Sequence, residues 1–142
     1  MANSPIASSE LFSGISPEAL DQLRDAAKEL NFARGEVLLQ QGALASELYF
    51  IQSGRFKVVV DGARTVAHLD AGEVVGELAF FAGGQRTADV IATRDATVLA
   101  ITRRDYDRIA SQHLELPQLL LRLVSERLAQ TTQRTDAIQQ NI

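Results

Sequence analysis

The sequence predicts an α+β fold: an antiparallel β jelly-roll barrel with one N-terminal helix and two C-terminal helices, in a single domain over residues 1–142. Three observations predict it. Short β-rich runs, EVLLQ, ELYFIQ, RFKVVV, RTVAHL, ADVIAT and TVLAIT, fill the stretch from about residue 35 to 102. Turn residues separate them at Gly42, Gly54, Asp61-Gly62, Gly72 and Asp95, and many short strands with regular turns make a sandwich or barrel. Helical patterning lies on both sides of this stretch.

The elements follow in order. Ser16 is a good N-cap and Pro17 stands at the first helical position, where its missing N–H costs nothing. Leu20, Leu23, Ala27 and Leu30 then fall on one helical face, and the pattern stops at NFARGE, where Gly35 permits a turn. Within the barrel, Val60-Asp61-Gly62-Ala63 is a hairpin signal, because Asp-Gly suits a turn with positive φ. After Thr102 the run RRDYDRIASQ predicts a short helix over about 103–112. A long helix over about 117–138 begins near Pro117.

Composition narrows the function. A chain of 142 residues buries one core, and 46% hydrophobic with 23% charged residues is the profile of a soluble globular protein. No run approaches the ~18 apolar residues of a membrane span. The start MANSPIASSELF has neither a basic nor an apolar segment of the secretory kind, so a cytoplasmic setting is the expectation. With no cysteine, disulfides, thiolate metal sites and a cysteine nucleophile are excluded. His68 and His113, far apart, cannot build a histidine metal cluster, so no metal and no enzymatic activity are expected. The net charge of −4 argues against a general nucleic-acid surface, and Arg103-Arg104 reads as solvated side chains at a helix start.

One irregular segment stands out, GELAFFAGGQRTAD from Gly76 to Asp89. Glu77 to Phe81 fits a single helical turn, whose first N–H groups favour an anion. Arg86 adds a planar, permanently charged donor fork suited to phosphate, with the Thr87 hydroxyl beside it. Glu77 only accepts hydrogen bonds at neutral pH, so it serves a sugar hydroxyl rather than a phosphate. An anion grip beside a hydroxyl grip describes a ribose phosphate. By residue chemistry alone a second reading stands: Glu77 and Arg86 brace the loop as an ion pair, and Gly83-Gly84 is a plain turn.

The segment resembles the phosphate-binding cassette of the cyclic nucleotide-binding domain family, Gly-Glu-Leu-Ala followed by a loop and Arg-Ser/Thr-Ala. The matching residues are Gly76-Glu77-Leu78-Ala79 and Arg86-Thr87-Ala88. LFSGIS at Leu11 to Ser16, the turn glycines Gly35, Gly42, Gly54 and Gly72, and YFIQSGRFKVV extend the resemblance over roughly Leu11 to Thr135. It implies a ligand rather than a resident cofactor. Glu77 would take the ribose 2′-hydroxyl and Arg86 the exocyclic phosphate. Thr87 and Ala88 would complete the phosphate grip, and Gly76 would let the backbone approach the sugar. Two residues depart from the family pattern: Gln85, where some relatives carry proline, implies a less rigid loop, and Val75, where many carry phenylalanine, implies different packing beneath it.

In the last helix Leu121, Val124, Leu128, Thr131, Thr135 and Ile138 alternate spacings of three and four, a heptad seam. Leu116, Leu120 and Leu123 are expected to pack on the chain's own barrel. RLAQTTQRT, Arg127 to Thr135, resembles the dimer helix of the family's bacterial catabolite activators, in which a hydroxyl pair meets the adenine amino group. Thr131 and Thr132 occupy the matching places, and ordinary helix surface is the other reading of them. The helix-turn-helix that follows in those activators has no counterpart before Ile142, so this chain is not expected to bind DNA; a fused or separate effector would carry the response.

The sequence thus describes a non-catalytic cyclic AMP sensor that signals through its C-terminal helix and pairs as a homodimer there. Its alternatives are a cyclic GMP-selective sensor, since Thr87 also suits a guanine amino group, and a ligand-independent dimerisation or interaction domain of the same fold.

Overall fold

A computed structural model describes residues 14–140, with the side chains of Leu78, Arg127, Leu128 and residues 130–140 outside the description. Helix α1, Pro17–Ala26, opens as its sequence requires: the Ser16 Oγ accepts the Ala19 N–H at 3.2 Å and Pro17 enters the first turn. The helix is shorter than its hydrophobic spacing suggests. Ala27 turns extended at φ −72° and ψ 144° while its N–H still reaches the Leu23 carbonyl. Leu30 lies in strand β1, Lys28–Phe32, opposite Val98, so the barrel begins before Gly35. Leu30 satisfies both periodicities, and five ladder pairs with a neighbouring strand outweigh one more helical turn.

The remaining strands are β2, Val37–Leu39, β3, Glu47–Ser53, β4, Arg55–Val60, β5, Arg64–Asp70, β6, Val74–Val75, β7, Asp89–Ala92, and β8, Ala96–Thr102. They form two four-stranded antiparallel sheets with orders β1-β8-β3-β6 and β2-β7-β4-β5, the strand order of a jelly roll. Asp61 at φ 52° and Gly62 at φ 75° make the turn of the β4–β5 hairpin, closed by the Ala63 N–H on the Val60 carbonyl. Thr65 pairs with Val59 but Ala67 with Val58, so Val66 bulges.

Helix α2, Glu77–Ala82, bridges β6 and β7, while α3, Arg103–Gln112, and α4, Glu115–Gln140, follow β8. The long helix therefore starts two residues before Pro117, and that proline falls in its first turn, where no N–H is needed. No described helix is long and apolar enough to cross a membrane.

Two cores lie back to back. Tyr49, Ile51, Phe56, Val75, Val90 and Val98 fill the space between the sheets. Leu48, Phe50, Val74, Phe80, Ile101, Tyr106, Ile109, Leu116, Leu119 and Leu120 form the layer beneath the helices. Alternation along β3 sends Tyr49 and Ile51 inward and Leu48 and Phe50 toward the helices, so four successive residues are buried. Leu116 and Leu120 pack on the barrel as expected, with Leu123 half-buried beside them.

Phe80, Phe81 and Tyr106 join α2 to α3 by edge-to-face contacts with centroids 5.3–5.5 Å apart. The Arg103 guanidinium lies 3.9 Å from the Phe80 ring centroid and donates to the Phe80 carbonyl at the end of α2. The Tyr106 hydroxyl is buried without a hydrogen-bond partner among the described residues. Burial, against the opposing charge of Arg103, pushes its pKa up to about 12. The folded value lies above the unfolded one near 10, so this contribution to stability is present below pH 10 and is lost as pH rises from 10 toward 12. Tyr106→Phe keeps the ring contacts and removes the unsatisfied hydroxyl. We expect it to raise unfolding free energy by on the order of 1 kcal/mol at neutral pH and to remove the Tyr106 share of the alkaline loss. Denaturant titrations at pH 7 and pH 11 check this; a destabilised Tyr106→Phe protein would mean that the hydroxyl has a partner.

Candidate functional site

The segment between β6 and β7 folds around its glycines. Gly76 has φ +83° and no side-chain cap, and directly after it α2 begins with Glu77. Gly83, at φ +72°, ends α2, with its N–H and that of Gly84 both on the Ala79 carbonyl. The chain then lies beside the loop after β2. The Arg86 N–H donates to Ala43 at 2.7 Å, Gly42 donates to the Arg86 carbonyl at 2.9 Å, and Ala45 donates to Gly84 at 3.2 Å. Gln85, at the position where some relatives carry proline, pairs in a bridge with Leu44. Val75 is buried between the sheets below this segment.

Gly76, Glu77, Ala79, Arg86, Thr87 and Ala88 line one cavity of ≈ 560 Å³, so the fold brings the cassette residues together. Its remaining wall comes from β2, β4, β5, β6 and β7, mostly aliphatic side chains such as Val58, Val66, Leu69 and Val90, with His68 and Glu73 as the polar members. Polar groups at one end and apolar walls elsewhere are the ordinary design of a small-molecule site. Of the other sequence candidates, the side chains of Leu78, Thr131 and Thr132 lie outside the described residues. The heptad seam is described only as far as Leu121, which is two-thirds exposed, and the half-buried Val124.

Glu77 and Arg86 are the buried charged residues of the core, at 3% and 5% exposure. Arg86 does not point its Nη atoms at the Glu77 carboxylate. Nη1 donates to the Gly76 carbonyl at 2.7 Å and Nη2 to the Glu47 carbonyl at 2.6 Å. The Tyr49 ring lies beneath, with its centroid 5.7 Å from Cζ. Both Nη groups of Arg86 thus meet the main chain, at Gly76 and Glu47, and Glu77 is buried in the same cavity. Carbonyls solvate a guanidinium without neutralising it. The site consequently places a buried guanidinium seated on carbonyls and a buried carboxylate at the wall of one cavity.

Sequence reasoning missed Tyr49 and Glu47. Alternation along ELYFI marks Tyr49 as inward-facing, but nothing in the local pattern says that a loop arginine would dock on it. Gly76 also has a reason the sequence left out. A Cβ there would lie 2.5 Å from Arg86 Nη1 and 3.2 Å from its Cζ, so the missing side chain makes room for the guanidinium.

Comparison with known proteins agrees with this geometry. The family profile of the cyclic nucleotide-binding domain matches residues 29–113. The cyclic AMP receptor protein of Thermus thermophilus is 30% identical over 134 residues, covering 92% of this chain and 62% of that protein. Acetyltransferase Pat of Mycolicibacterium smegmatis is 34% identical over 130 residues, covering 87% of this chain and 38% of the enzyme. The crystal structure of the Thermus thermophilus catabolite activator protein superimposes with a TM-score of 0.82 at 30% identity, over 92% of this chain and 63% of that one. The chain thus spans less than two thirds of the length of these relatives.

Gly76→Ala tests the close approach. Alanine must adopt φ +83° and also meets the guanidinium, whereas Gly35→Ala, at φ +90° with nothing within 4 Å, carries the backbone strain alone. Strain of this kind costs on the order of 1–3 kcal/mol, so Gly35→Ala measures that part and Gly76→Ala should lose more. Chemical denaturation of both variants gives the comparison; equal losses would show that the guanidinium moves aside freely.

Proposed function

The chain belongs to the cyclic nucleotide-binding domain family, and from that membership we propose that it is a non-catalytic sensor that binds cyclic AMP at the α2–Arg86 end of the cavity. The observation that carries this reading is the buried, carbonyl-seated Arg86 sharing one cavity with the buried Glu77. Two of the five guanidinium N–H groups go to the Gly76 and Glu47 carbonyls, and neither carbonyl carries the negative charge that complements the cation. The exocyclic phosphate supplies it, with the Thr87 hydroxyl and the N–H groups of Thr87 and Ala88 as further donors. Glu77 accepts the ribose 2′-hydroxyl. Gly76, Leu78 and Ala79 form the turn that carries Glu77.

The response runs through the helices. Helix α2 packs against both β3 and α4, and its Phe80 and Phe81 stack on Tyr106 of α3. A change at the cassette therefore reaches the start of α4 through direct contacts. Leu121, exposed on α4, supports pairing of two copies along this helix. The names of the relatives support an effector joined to such a module: a cyclic AMP receptor protein in one and an acetyltransferase in the other, each with a large part beyond the matched region.

The test is calorimetric titration with cyclic AMP. One site per chain is expected, and Arg86→Ala should nearly abolish binding, because a charge-assisted bond contributes roughly 1.5–3 kcal/mol and a stranded phosphate costs more. Glu77→Gln should weaken cyclic AMP while leaving its 2′-deoxy analogue far less affected. Unchanged affinity in a folded Arg86→Ala protein would sink the assignment.

Base choice is predicted to favour adenine, through Thr131 and Thr132, by about one or two hydrogen bonds, on the order of 1–3 kcal/mol. Titrating cyclic AMP and cyclic GMP into wild type and into the Thr131→Ala/Thr132→Ala double variant decides it. A cyclic GMP preference that survives the double change would instead assign base choice to Thr87.

A further inference from the structure

We propose that Tyr49 and Glu47 are positioning residues that hold the Arg86 guanidinium in its anion-ready orientation. The inference rests on the reading of Arg86 as the ligand-phosphate partner and adds two residues that contribute nothing to the cassette sequence.

Both residues lie on β3, across the sheet from β8, where Glu47 pairs with Thr102 and Tyr49 with Ala100. That ladder fixes the Glu47 carbonyl, which accepts from Arg86 Nη2 at 2.6 Å. Tyr49, two residues along, is only 7% exposed, and its ring lies within cation–π range of the guanidinium at 5.7 Å. Its hydroxyl turns back to donate to Glu47 Oε1 at 3.2 Å. Glu47 thus serves the site twice: its main chain holds Arg86 and its side chain holds the tyrosine. Burial and the Glu47 carboxylate raise the Tyr49 pKa, against the charge and side-chain hydrogen bonding of Arg86.

An arginine on a loop would ordinarily lose several side-chain rotations on meeting a ligand. Here a carbonyl on each side and a ring beneath have already fixed the plane. The seat comes from β3, whereas the lining of the cavity comes from the cassette, Glu73 and strands β2, β4, β5, β6 and β7. Removing the ring should leave the charge in place but unfix its plane, which weakens binding without abolishing it.

The experiment compares cyclic AMP affinity by calorimetry in wild type, Tyr49→Phe, Tyr49→Leu and Tyr49→Met. It also follows the Arg86 side-chain Nε and Nη signals by ¹⁵N NMR in the ligand-free full chain. Tyr49→Phe retains the ring and should stay within about threefold of wild type. Tyr49→Leu and Tyr49→Met should raise Kd about tenfold in folded protein, with faster rotation of the guanidinium than in wild type. If Tyr49→Leu does not fold, Tyr49→Met carries the comparison, and if both fail, loss of restricted rotation in Glu47→Ala, which frees the tyrosine hydroxyl, supports the seat and retained restriction overturns it. Unchanged affinity and unchanged guanidinium rotation in a folded ring-less variant would overturn the positioning role. If wild type binds no cyclic nucleotide, the proposed function fails, and the NMR comparison alone then decides the seat: restricted rotation lost with the ring upholds it, and rotation indifferent to the ring overturns it.

Discussion

A buried guanidinium with carbonyl oxygens for company is the constraint around which this barrel is arranged. Taking the Arg86 charge out of water costs several kcal/mol unless other groups replace its hydration. Here the Gly76 and Glu47 carbonyls and the Tyr49 ring replace part of it, and each demands something of the sequence. Position 76 must lack a side chain, β3 must present its backbone at Glu47, and an aromatic residue must follow two places later on the same face. The loop after β2 must also lie alongside, because Gly42, Ala43 and Ala45 hold the main chain around Arg86 through three hydrogen bonds. Residues scattered from 42 to 88 are thereby committed to placing one side chain.

Strand β3 is the element that links this site to the rest of the molecule. Because Leu48 and Phe50 face the helical layer while Tyr49 and Ile51 face the interior, the strand that seats Arg86 is also the floor on which the helices pack. Phe80 adds a second route, since it belongs to the cassette helix yet is buried with Tyr106, Ile109 and Leu116 under α3 and α4. Interiors are close-packed and respond to displacement by repacking rather than by compressing. A shift of α2 on ligand uptake would therefore be passed to the start of α4 through Phe80, Phe81 and Tyr106.

Much of this was legible in the residues and some was not, for identifiable reasons. Ser16-Pro17, Asp61-Gly62 and the cassette glycines set local backbone geometry, and local geometry is what a sequence states directly. The family resemblance named Gly76, Glu77, Ala79, Arg86, Thr87 and Ala88, which line one cavity, and also Leu78, Thr131 and Thr132, whose side chains lie outside the described residues. Illegible were the features set by distant partners. Leu30 fits a helical stripe and a strand equally well, and only pairing with Val98 decides between them. Strand β6 is two residues long and exists because Val74 and Val75 lie opposite Phe50 and Tyr49. The docking of Arg86 on Tyr49 joins a loop to a strand far away in sequence, and no local pattern states it.

The distribution of polarity in the cavity also bears on how one base could be told from another. The groups that suit a ribose phosphate are gathered at Gly76 to Ala79 and at Arg86 to Ala88, while Val58, Val60, Val66, Leu69 and Val90 make the facing wall aliphatic. Two polar residues also line that side: Glu73, which accepts the Asp70 N–H at 2.5 Å, and the exposed His68. An aliphatic wall gives affinity to any purine but separates two purines poorly, since strong discrimination needs polar groups left unpaired by the wrong partner. A ligand held by its phosphate at Arg86 would therefore be gripped alike whichever base it carried. Under the proposed function, selectivity would come from a hydroxyl brought to the base edge, by Thr87 from the cassette or by the threonines of α4. In the second case the helix proposed to report occupancy would also read the ligand, so affinity for the correct base and the position of α4 would be one equilibrium rather than two.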